Sequence, residues 1–373
     1  MIYLDNAATT KMYEELVDVY KEYGCDKFFN PSSLYKKSLE IALDIRKAKA
    51  ELAEFFGSDA GEIVFTGSAT ESNNLAIRGA VKKNSKLVIS AGEHPSVHNT
   101  IMALKNNGIE CEIIPLQKNG LVDDQKLYDY VSKNKDVRLV SIIHVSNETG
   151  AINNIKELAQ NIKRINPSIL FHSDGVQAFA KIDIKNLGVD LYSFSAHKIK
   201  GPKGIGALFI KKGVRLNPVI TGGGQENNLR GGTENVANII AFSKAAKLFS
   251  QDYNYDQMLE YKTTFLDVLR EKVKDIIISI EDNYNTAPHI ISLIVPEIKG
   301  ETLLHILESK DILIGLGSAC SSNSKTNRIL KSLGYSSKMA QNSIRISFSP
   351  DNTLEQIKTA AQTLASVILE LKK

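Results

Sequence analysis

Cysteine, proline and tryptophan are scarce in this sequence, and the scarcity of cysteine excludes a class of protein. Of its 373 residues, three are cysteine, nine are proline and none is tryptophan. The cysteines form no C-x-x-C pair and leave an odd thiol, so we expect a reduced, cytoplasmic protein without a disulfide framework or a cysteine zinc site. No apolar run approaches the ~18 residues of a membrane span, and no signal peptide is visible, so we expect no membrane partner and no secretion.

The balance of charge excludes further classes. Lys and Arg together number 46 and Asp and Glu 42, which leaves a net charge of +4. This excess is too small and too evenly spread to favour direct binding of nucleic acid or of an anionic membrane. Hydrophobic residues make up 43% and charged residues 24%, as in ordinary globular proteins, which excludes long disorder, a collagen-like rod and a coiled coil.

Short apolar runs alternate with helical patterns through the middle of the chain. The helices are predicted at 71–83 and 95–106, the second with Pro95 in its first turn and Gly108 as its stop. This alternation favours a mostly parallel sheet covered by helices. Strands are predicted at 62–66, 87–90, 137–145, 168–172, 189–195 and 207–211.

The last third of the chain has a different pattern. A final helix begins with the capping box Thr353-x-x-Gln356 and keeps its apolar residues on one face. We interpret this region as a second, smaller α/β domain, and the segment 251–263, which has no clean strand pattern, as the hinge before it. Further elements are predicted as strands at 290–295, 312–316 and 343–348 and a helix at 301–309.

Two polar residues directly follow apolar strands. Lys198 lies just past the strand at 189–195, and Asp174 follows the apolar run 169–171. Ligands bind at the carboxyl ends of strands in open α/β sheets. A lysine desolvated there becomes an amine suited to Schiff-base chemistry, and a carboxylate can keep a pyridinium nitrogen protonated. The alternatives are a solvated loop lysine and an aspartate that caps a helix.

Two groups of small residues could bind a phosphate. In residues 65–74 a strand runs through a small-residue turn into a helix start, where free backbone N–H groups attract anions. The alternative is a simple capping box, Ser68-x-x-Glu71, that needs no ligand. The glycine-rich segments 221–224 and 231–235 could also approach an anion, or they could be surface loops.

Histidine and arginine supply two more candidates. His94 and His98 are four residues apart, but Pro95 places His94 at or before the helix start, so the pair cannot share a helical face and zinc is not expected. His94 suits acid–base chemistry or ring stacking better. Arg345 lies in an alternating strand pattern, where it could hold a substrate carboxylate bidentately or form an ordinary ion pair.

Only one of the three cysteines has the surroundings of a reactive thiol. Cys320 lies in the small, polar segment 315–324 that follows a strand. Cys111 alternates within a strand pattern, and Cys25 is predicted to lie in a loop. Cys320 is therefore the candidate for an exposed nucleophile, with an inert loop thiol as the alternative.

Together these segments resemble the cysteine desulfurases, a pyridoxal-phosphate (PLP) family on the class-V aminotransferase, fold-type-I scaffold. The resemblance runs nearly from end to end. It implies an α/β fold with a large, mostly parallel sheet domain (15–255) and a smaller α/β domain (1–14 and 256–373) that contains the cysteine loop. The matching segments are 3–10, 30–33, 69–74, 93–94, 146–150, 174–177, 195–198, 229–235, 318–320 and Arg345.

The resemblance also implies residue roles. Lys198 would bind PLP covalently and move protons, Asp174 would pair with the pyridine nitrogen, and His94 would stack on the ring. Cys320 would take sulfur from L-cysteine as a persulfide and leave L-alanine. The other implied contacts are Gln177 and Asn147 near the phenolic oxygen, Ala69, Thr70, Ser195 and His197 at the phosphate, Thr233 at the phosphate of the neighbouring subunit in a homodimer, and Arg345 with Asn147 at the substrate carboxylate.

The sequence departs from the family pattern at a few positions. Gly67-Ser68 reverses the usual Ser-Gly, Gly232 replaces a common serine, and Gly175 replaces a common alanine. The stretch 321–329 lacks the Leu-Glu-Pro pattern of the iron–sulfur members, so the sulfur acceptor is open between an iron–sulfur scaffold and a tRNA-thiolation protein. A selenocysteine lyase or an aminotransferase of the same fold is the alternative enzyme. A non-enzymatic relic that binds partners is disfavoured by the intact Lys198.

Overall fold

The computed structural model describes residues 1–57, 62–280, 285–317 and 327–373. Its strands are β1 (Ile2–Leu4), β2 (Glu62–Thr66), β3 (Lys86–Ser90), β4 (Glu110–Ile114), β5 (Val137–Ser141), β6 (Leu170–Asp174), β7 (Leu191–Ser195), β8 (Gly206–Ile210), β9 (Ile277–Ile278), β10 (Ile290–Ile294), β11 (Ile312–Ile314) and β12 (Ser343–Ser347). Its α-helices are α1 (Val17–Lys21), α2 (Lys36–Glu54), α3 (Ala69–Ala80), α4 (Pro95–Asn106), α5 (Asp124–Lys133), α6 (Ile155–Ile165), α7 (Val236–Asp252), α8 (Tyr255–Lys272), α9 (Gly300–Glu308), α10 (Arg328–Ser332), α11 (Ser337–Gln341) and α12 (Leu354–Leu371).

Cys25 lies in a π-helical turn, Glu22–Asp26, so its prediction as a loop residue is wrong.

The main sheet has seven strands in the order β2-β8-β7-β6-β5-β3-β4. Strand β8 pairs antiparallel with both of its neighbours, and the other pairs are parallel. Strands β2, β3, β5, β6 and β7 therefore end at the same edge of the sheet. The predicted mostly parallel sheet is confirmed, and this edge brings together the segments that follow those strands.

Helices cover both faces of this sheet. Leu170 and Leu191 point to the face covered by α3 and α4, whereas their neighbours Phe171 and Tyr192 point to the face covered by α2, α5, α6 and α7. All four side chains are buried. The alternation is the two-residue period of a strand, and with helices on both faces it explains why the strands appear in the sequence as continuous apolar runs.

Local signals begin and end the helices near the site. Helix α4 has Pro95 at its first position, and His94 is its N-cap. Ser68 caps α3 by accepting from the backbone N–H of Glu71. The predicted capping box is only half formed, because the Glu71 carboxylate accepts from the Gly67 N–H and pairs with Arg230 instead. The box at the start of α12 is complete.

The last third of the chain packs around its own apolar cluster, which includes Leu4, Phe265, Leu293, Ile346 and Leu364. Strand β10 lies between β9 and β12, and β1 pairs in parallel with β11. The N-terminal strand thus packs with the C-terminal elements. The segment proposed as a hinge, 251–263, contains the end of α7 and the first half of α8; its role as a hinge and the domain boundaries stay predictions. No described helix is both long and apolar enough to span a membrane.

Candidate active site

Lys198 lies in a 3-10 turn, Ala196–Lys198, directly after β7. Its Nζ donates to the carbonyl oxygens of Ala7, at 2.6 Å, and Ala8. The site is tightly packed nearby, since a Cβ added at Gly206 would lie 2.5 Å from the backbone nitrogen of Ala69. Lys198 is thus held against the segment after β1 and is only half-buried, which contradicts the alternative of a freely solvated loop lysine.

Asp174 is the last residue of β6 and is 4% exposed. Its Oδ2 accepts from Asn73 Nδ2 at 2.7 Å, and its Oδ1 accepts from the backbone N–H of Val176 at 3.1 Å. No α-helix among the described residues begins here, so the alternative of a helix-capping aspartate is wrong. The contact with Asn73, a fully buried side chain of α3, joins residues that are 101 positions apart.

The turn after Asp174 explains one departure from the family pattern. A Cβ added at Gly175 would lie 1.9 Å from ring atoms of Tyr192. Tyr192 is fully buried and hydrogen-bonds to His144 Nδ1 at 2.8 Å. Because no real Cβ could occupy that space, the tyrosine requires glycine at position 175.

Gln177 links Lys198 to a buried lysine that sequence reasoning missed. Its Nε2 donates to the same Ala7 oxygen as Lys198, at 2.9 Å, and its Oε1 accepts from Lys181 Nζ at 3.2 Å. Burial, and then the charge of Lys198, lowers the pKa of Lys181 to about 7. The sequence signal for Lys181 was a single charge within the otherwise apolar run 178–182.

His94 lies half-buried at the start of α4. Its Nδ1 accepts from the backbone N–H of Ser96 at 3.2 Å and is 2.8 Å from Ser96 Oγ. Burial lowers the pKa of His94. The position at the N-cap, predicted from Pro95, separates His94 from His98, and the described residues contain no cluster of metal-ligating side chains.

Glu93, next to His94, is completely buried. Its Oε1 accepts from Ser90 Oγ and, at 2.7 Å, from the backbone N–H of Ile143, while its Oε2 has no partner among the described residues. Burial raises the pKa of Glu93 to about 8. Burial therefore favours the protonated form of this carboxyl group.

Arg345, in β12, reaches the segment that follows β5. Its Nη1 donates to the carbonyl oxygen of Asn147 at 2.9 Å, and its Nη2 pairs with Asp5 Oδ1 at 2.7 Å. The ion pair considered from the sequence is thus present. The buried Nε has no hydrogen-bond partner among the described residues, and a Cβ added at Gly315 would lie 3.1 Å from it.

The other residues predicted to bind the cofactor or the sulfur differ in burial and in whether they have a partner. Ser195 Oγ and Asn147 Oδ1 are buried without a partner in the described part of the chain. Ala69 and the exposed Thr70 form the first turn of α3, and His197 Nδ1 lies 3.2 Å from Thr9 Oγ1. Thr233 is exposed on its loop. Cys320 lies outside the described residues; after that segment, Arg328 donates to the carbonyl oxygens of Ala91 and Glu93.

The chain is similar to known proteins along its whole length. Residues 2–359 match the model of the family described as Aminotransferase class-V. The chain belongs to the class-V aminotransferase family. A relative from Dictyoglomus turgidum, named "Cysteine desulfurase IscS", is 35% identical over 100% of this chain and 95% of its own. The structure of a NifS-like protein from Rickettsia africae matches with a TM-score of 0.89 and 31% identity over 99% of both chains. The structure described as "SspA in complex with cysteine" matches with a TM-score of 0.82 and 29% identity over 95% of this chain and 100% of the other.

Class-V aminotransferases generally use PLP, and the site of this family member fits such a group. The unpartnered Ser195 hydroxyl lies at the same edge as the first turn of α3, where free N–H groups favour a phosphate. Asp174 offers a buried carboxylate that would pair with the pyridine nitrogen of PLP, and Lys198 offers an amine that would react with its aldehyde. A buried hydroxyl and amide left without partners would be costly unless a ligand satisfied them.

Proposed function

We propose that this protein is a PLP-dependent cysteine desulfurase that converts L-cysteine to L-alanine and transfers the sulfur as a persulfide on Cys320. The observation that supports this most is that Lys198 and Asp174 lie at the same edge of the sheet, where Arg345 also reaches the carbonyl oxygen of Asn147. The name of the relative from Dictyoglomus turgidum and the cysteine complex of SspA support the choice of substrate.

In this proposal the residues at the strand ends hold the cofactor. Lys198 binds it covalently, Asp174 holds its ring nitrogen, and Gln177 and Asn147 contact its phenolic oxygen. When bound, PLP supplies an electron sink for negative charge that develops on the substrate. The proposed phosphate contacts are Ala69, Thr70, Ser195 and His197, with Thr233 reaching the phosphate of the neighbouring subunit.

The same residues then handle the substrate. Arg345 binds the carboxylate of L-cysteine, with Asn147 beside it. Lys198, once its amine is released, moves the proton of the substrate α-carbon. His94 stacks on the ring and transfers protons. Burial lowers the pKa of His197 to about 3, so that side chain is a neutral hydrogen-bond partner for the phosphate.

The sulfur step needs a thiolate. The Cys320 thiolate attacks the sulfur of the substrate, an S–S bond forms, and the C–S bond breaks with its electron pair left on carbon, which takes up a proton on the way to alanine. Cys111 is a poor rival, because burial raises the pKa of its thiol to about 11 and a protonated thiol is not the nucleophile.

Exposed apolar side chains support the proposed homodimer. Leu39 and Leu43 are one turn apart on the outer face of α2 and are 60% and 53% exposed, and Phe28 and Leu34 on the preceding segment are 67% and 104% exposed. Such a patch is typical of a protein–protein interface. We further propose that the persulfide passes to an acceptor protein of iron–sulfur cluster assembly or tRNA thiolation, in the cytoplasm, where thiols such as Cys25 stay reduced.

The test is to incubate the protein with L-cysteine and PLP, quench the reaction without reductant, and measure the mass of the peptide that contains Cys320 by mass spectrometry. The expected result is a gain of one sulfur atom with an equivalent amount of alanine, lost in Cys320→Ala and kept in Cys25→Ala. Turnover of selenocysteine alone, independent of Cys320, would favour a selenocysteine lyase. Activity only with an added keto acid would favour an aminotransferase.

A further inference from the structure

A buried chain of hydrogen bonds connects Asp174 to His94 through two residues to which no role has been given. Asn73 Nδ2 is 2.7 Å from Asp174 Oδ2 and 2.8 Å from Ser96 Oγ. Ser96 Oγ is in turn 2.8 Å from His94 Nδ1. Asn73, Ser96 and Asp174 are all buried, so water does not compete for these bonds.

The direction of the chain follows from its chemistry. An ionised carboxylate only accepts hydrogen bonds, so Asn73 must turn its NH₂ group toward Asp174. The second hydrogen of that NH₂ group goes to Ser96 Oγ. That oxygen therefore accepts from Asn73 and keeps its own proton to donate, and the acceptor within reach is His94 Nδ1.

His94 Nδ1 thus faces two donors. One is the hydroxyl of Ser96, and the other is the backbone N–H of the same residue, at 3.2 Å. A ring nitrogen that accepts from two donors cannot carry a proton itself, and a neutral imidazole has only one proton to place. The burial that lowers the pKa of His94 also disfavours the doubly protonated ring.

We propose that Ser96 and Asn73 are positioning residues that hold His94 in the tautomer with its proton on Nε2. The tautomer follows from the geometry alone. Its catalytic consequence rests on the proposed function: the neutral ring offers its Nε2–H as a hydrogen-bond donor in the desulfurase site, and Nδ1 must take up a proton before Nε2 can give one, since otherwise an imidazolate would form. One NH₂ group of Asn73 makes both bonds. A charged Asp174 therefore fixes the orientation of Asn73 and, through Ser96, the tautomer of His94.

The tautomer can be read directly by ¹⁵N NMR of the full-length holoenzyme labelled at histidine. The chain has seven histidines, and His94→Gln identifies the signals of His94. We expect an unprotonated Nδ1 and a protonated Nε2 in the wild type. A protonated Nδ1 on His94 would overturn the inference whether or not the protein has desulfurase activity.

Substitutions then test the two positioning residues. Ser96→Ala and Asn73→Ala should each shift His94 toward a mixture of tautomers, whereas Ser96→Thr, which keeps the hydroxyl, should retain the wild-type signal. Ser243→Ala, which removes a buried hydroxyl from α7, is the matched control and should change nothing. Unchanged His94 signals in both Ser96→Ala and Asn73→Ala would overturn the inference.

Kinetics separate this role from a merely structural one. Ser96→Ala should lower kcat for L-cysteine roughly tenfold or more, since a wrong histidine tautomer is costly in catalysis, and leave KM nearly unchanged. Ser96→Thr should restore kcat. A protein with the expected ¹⁵N signals but no turnover of L-cysteine would contradict the proposed function and leave the tautomer assignment intact.

Discussion

The guanidinium of Arg345 and the carboxylate of Asp5 form an ion pair, with 2.7 Å between Nη2 and Oδ1. The pair joins β12 to the residue that follows β1. A Cβ added at Gly315 would lie 2.4 Å from the same Oδ1, so the pair is enclosed by backbone. Asp5 and the carbonyl oxygen of Asn147 fix the orientation of the guanidinium.

Arg345→Lys should therefore weaken substrate binding. A lysine has a single nitrogen, which cannot keep Asp5 and Asn147 and also offer a planar pair of donors. We expect KM for L-cysteine to rise roughly tenfold or more, with a smaller change in kcat. Steady-state kinetics check this, with Arg138→Lys at the opposite end of the sheet as the matched control; an unchanged KM would mean that the arginine only holds Asp5.

Gly175→Ala should destabilise the protein, because its Cβ would overlap the ring of Tyr192. Overpacking of this kind costs about 1–3 kcal/mol. Tyr192→Leu should remove most of that extra cost, although it also loses the hydrogen bond to His144. Urea unfolding of the two single variants and the double variant measures the coupling. Additive effects would show that the two residues do not compete for space.

Glu93 should make the free energy of unfolding depend on pH. Its pKa is raised from 4.5 to about 8 in the folded state, so the folded state binds more protons between these values. Stability from this group is therefore present below pH 4.5 and is lost as pH rises toward about 8. Glu93→Gln, which resembles the protonated acid, should flatten the slope between pH 5 and 8. Equal slopes in urea unfolding would contradict the shifted pKa.

Lys181 should have an effect of the opposite sign in a higher pH range. Its pKa is lowered from 10.5 to about 7 by burial and by Lys198, so the unfolded state binds more protons between these values. The free energy of unfolding should rise with pH across that window. Lys181→Met should remove this rise, and Lys181→Arg should keep the donor to Gln177. Unfolding at about pH 7, 8 and 9 compares the three proteins; a rise that persists in Lys181→Met would assign it to another group.

Local sequence signals determined the secondary structure around the site. Helix α4 begins at Pro95 and ends at Asn106, as predicted, because the proline and the nearby Gly108 act over one or two turns. The positions of Asp174 and Lys198 at strand ends followed from apolar runs that end in polar residues. The order of motifs along the chain was enough to indicate the family.

Tertiary structure alone decided how these residues are partnered. Asn73 contacts Asp174, which is 101 positions away in the sequence, and Asp5 contacts Arg345, which is 340 positions away. Neither contact produces a periodic pattern from which the sequence could have predicted it. Lys181 is an ordinary charged residue until packing removes it from water. The sequence by itself determined which residues are available for chemistry, because strand ends and helix caps depend on neighbouring residues. The protonation state of each residue was decided by burial and by hydrogen-bond partners that only the folded chain brings together.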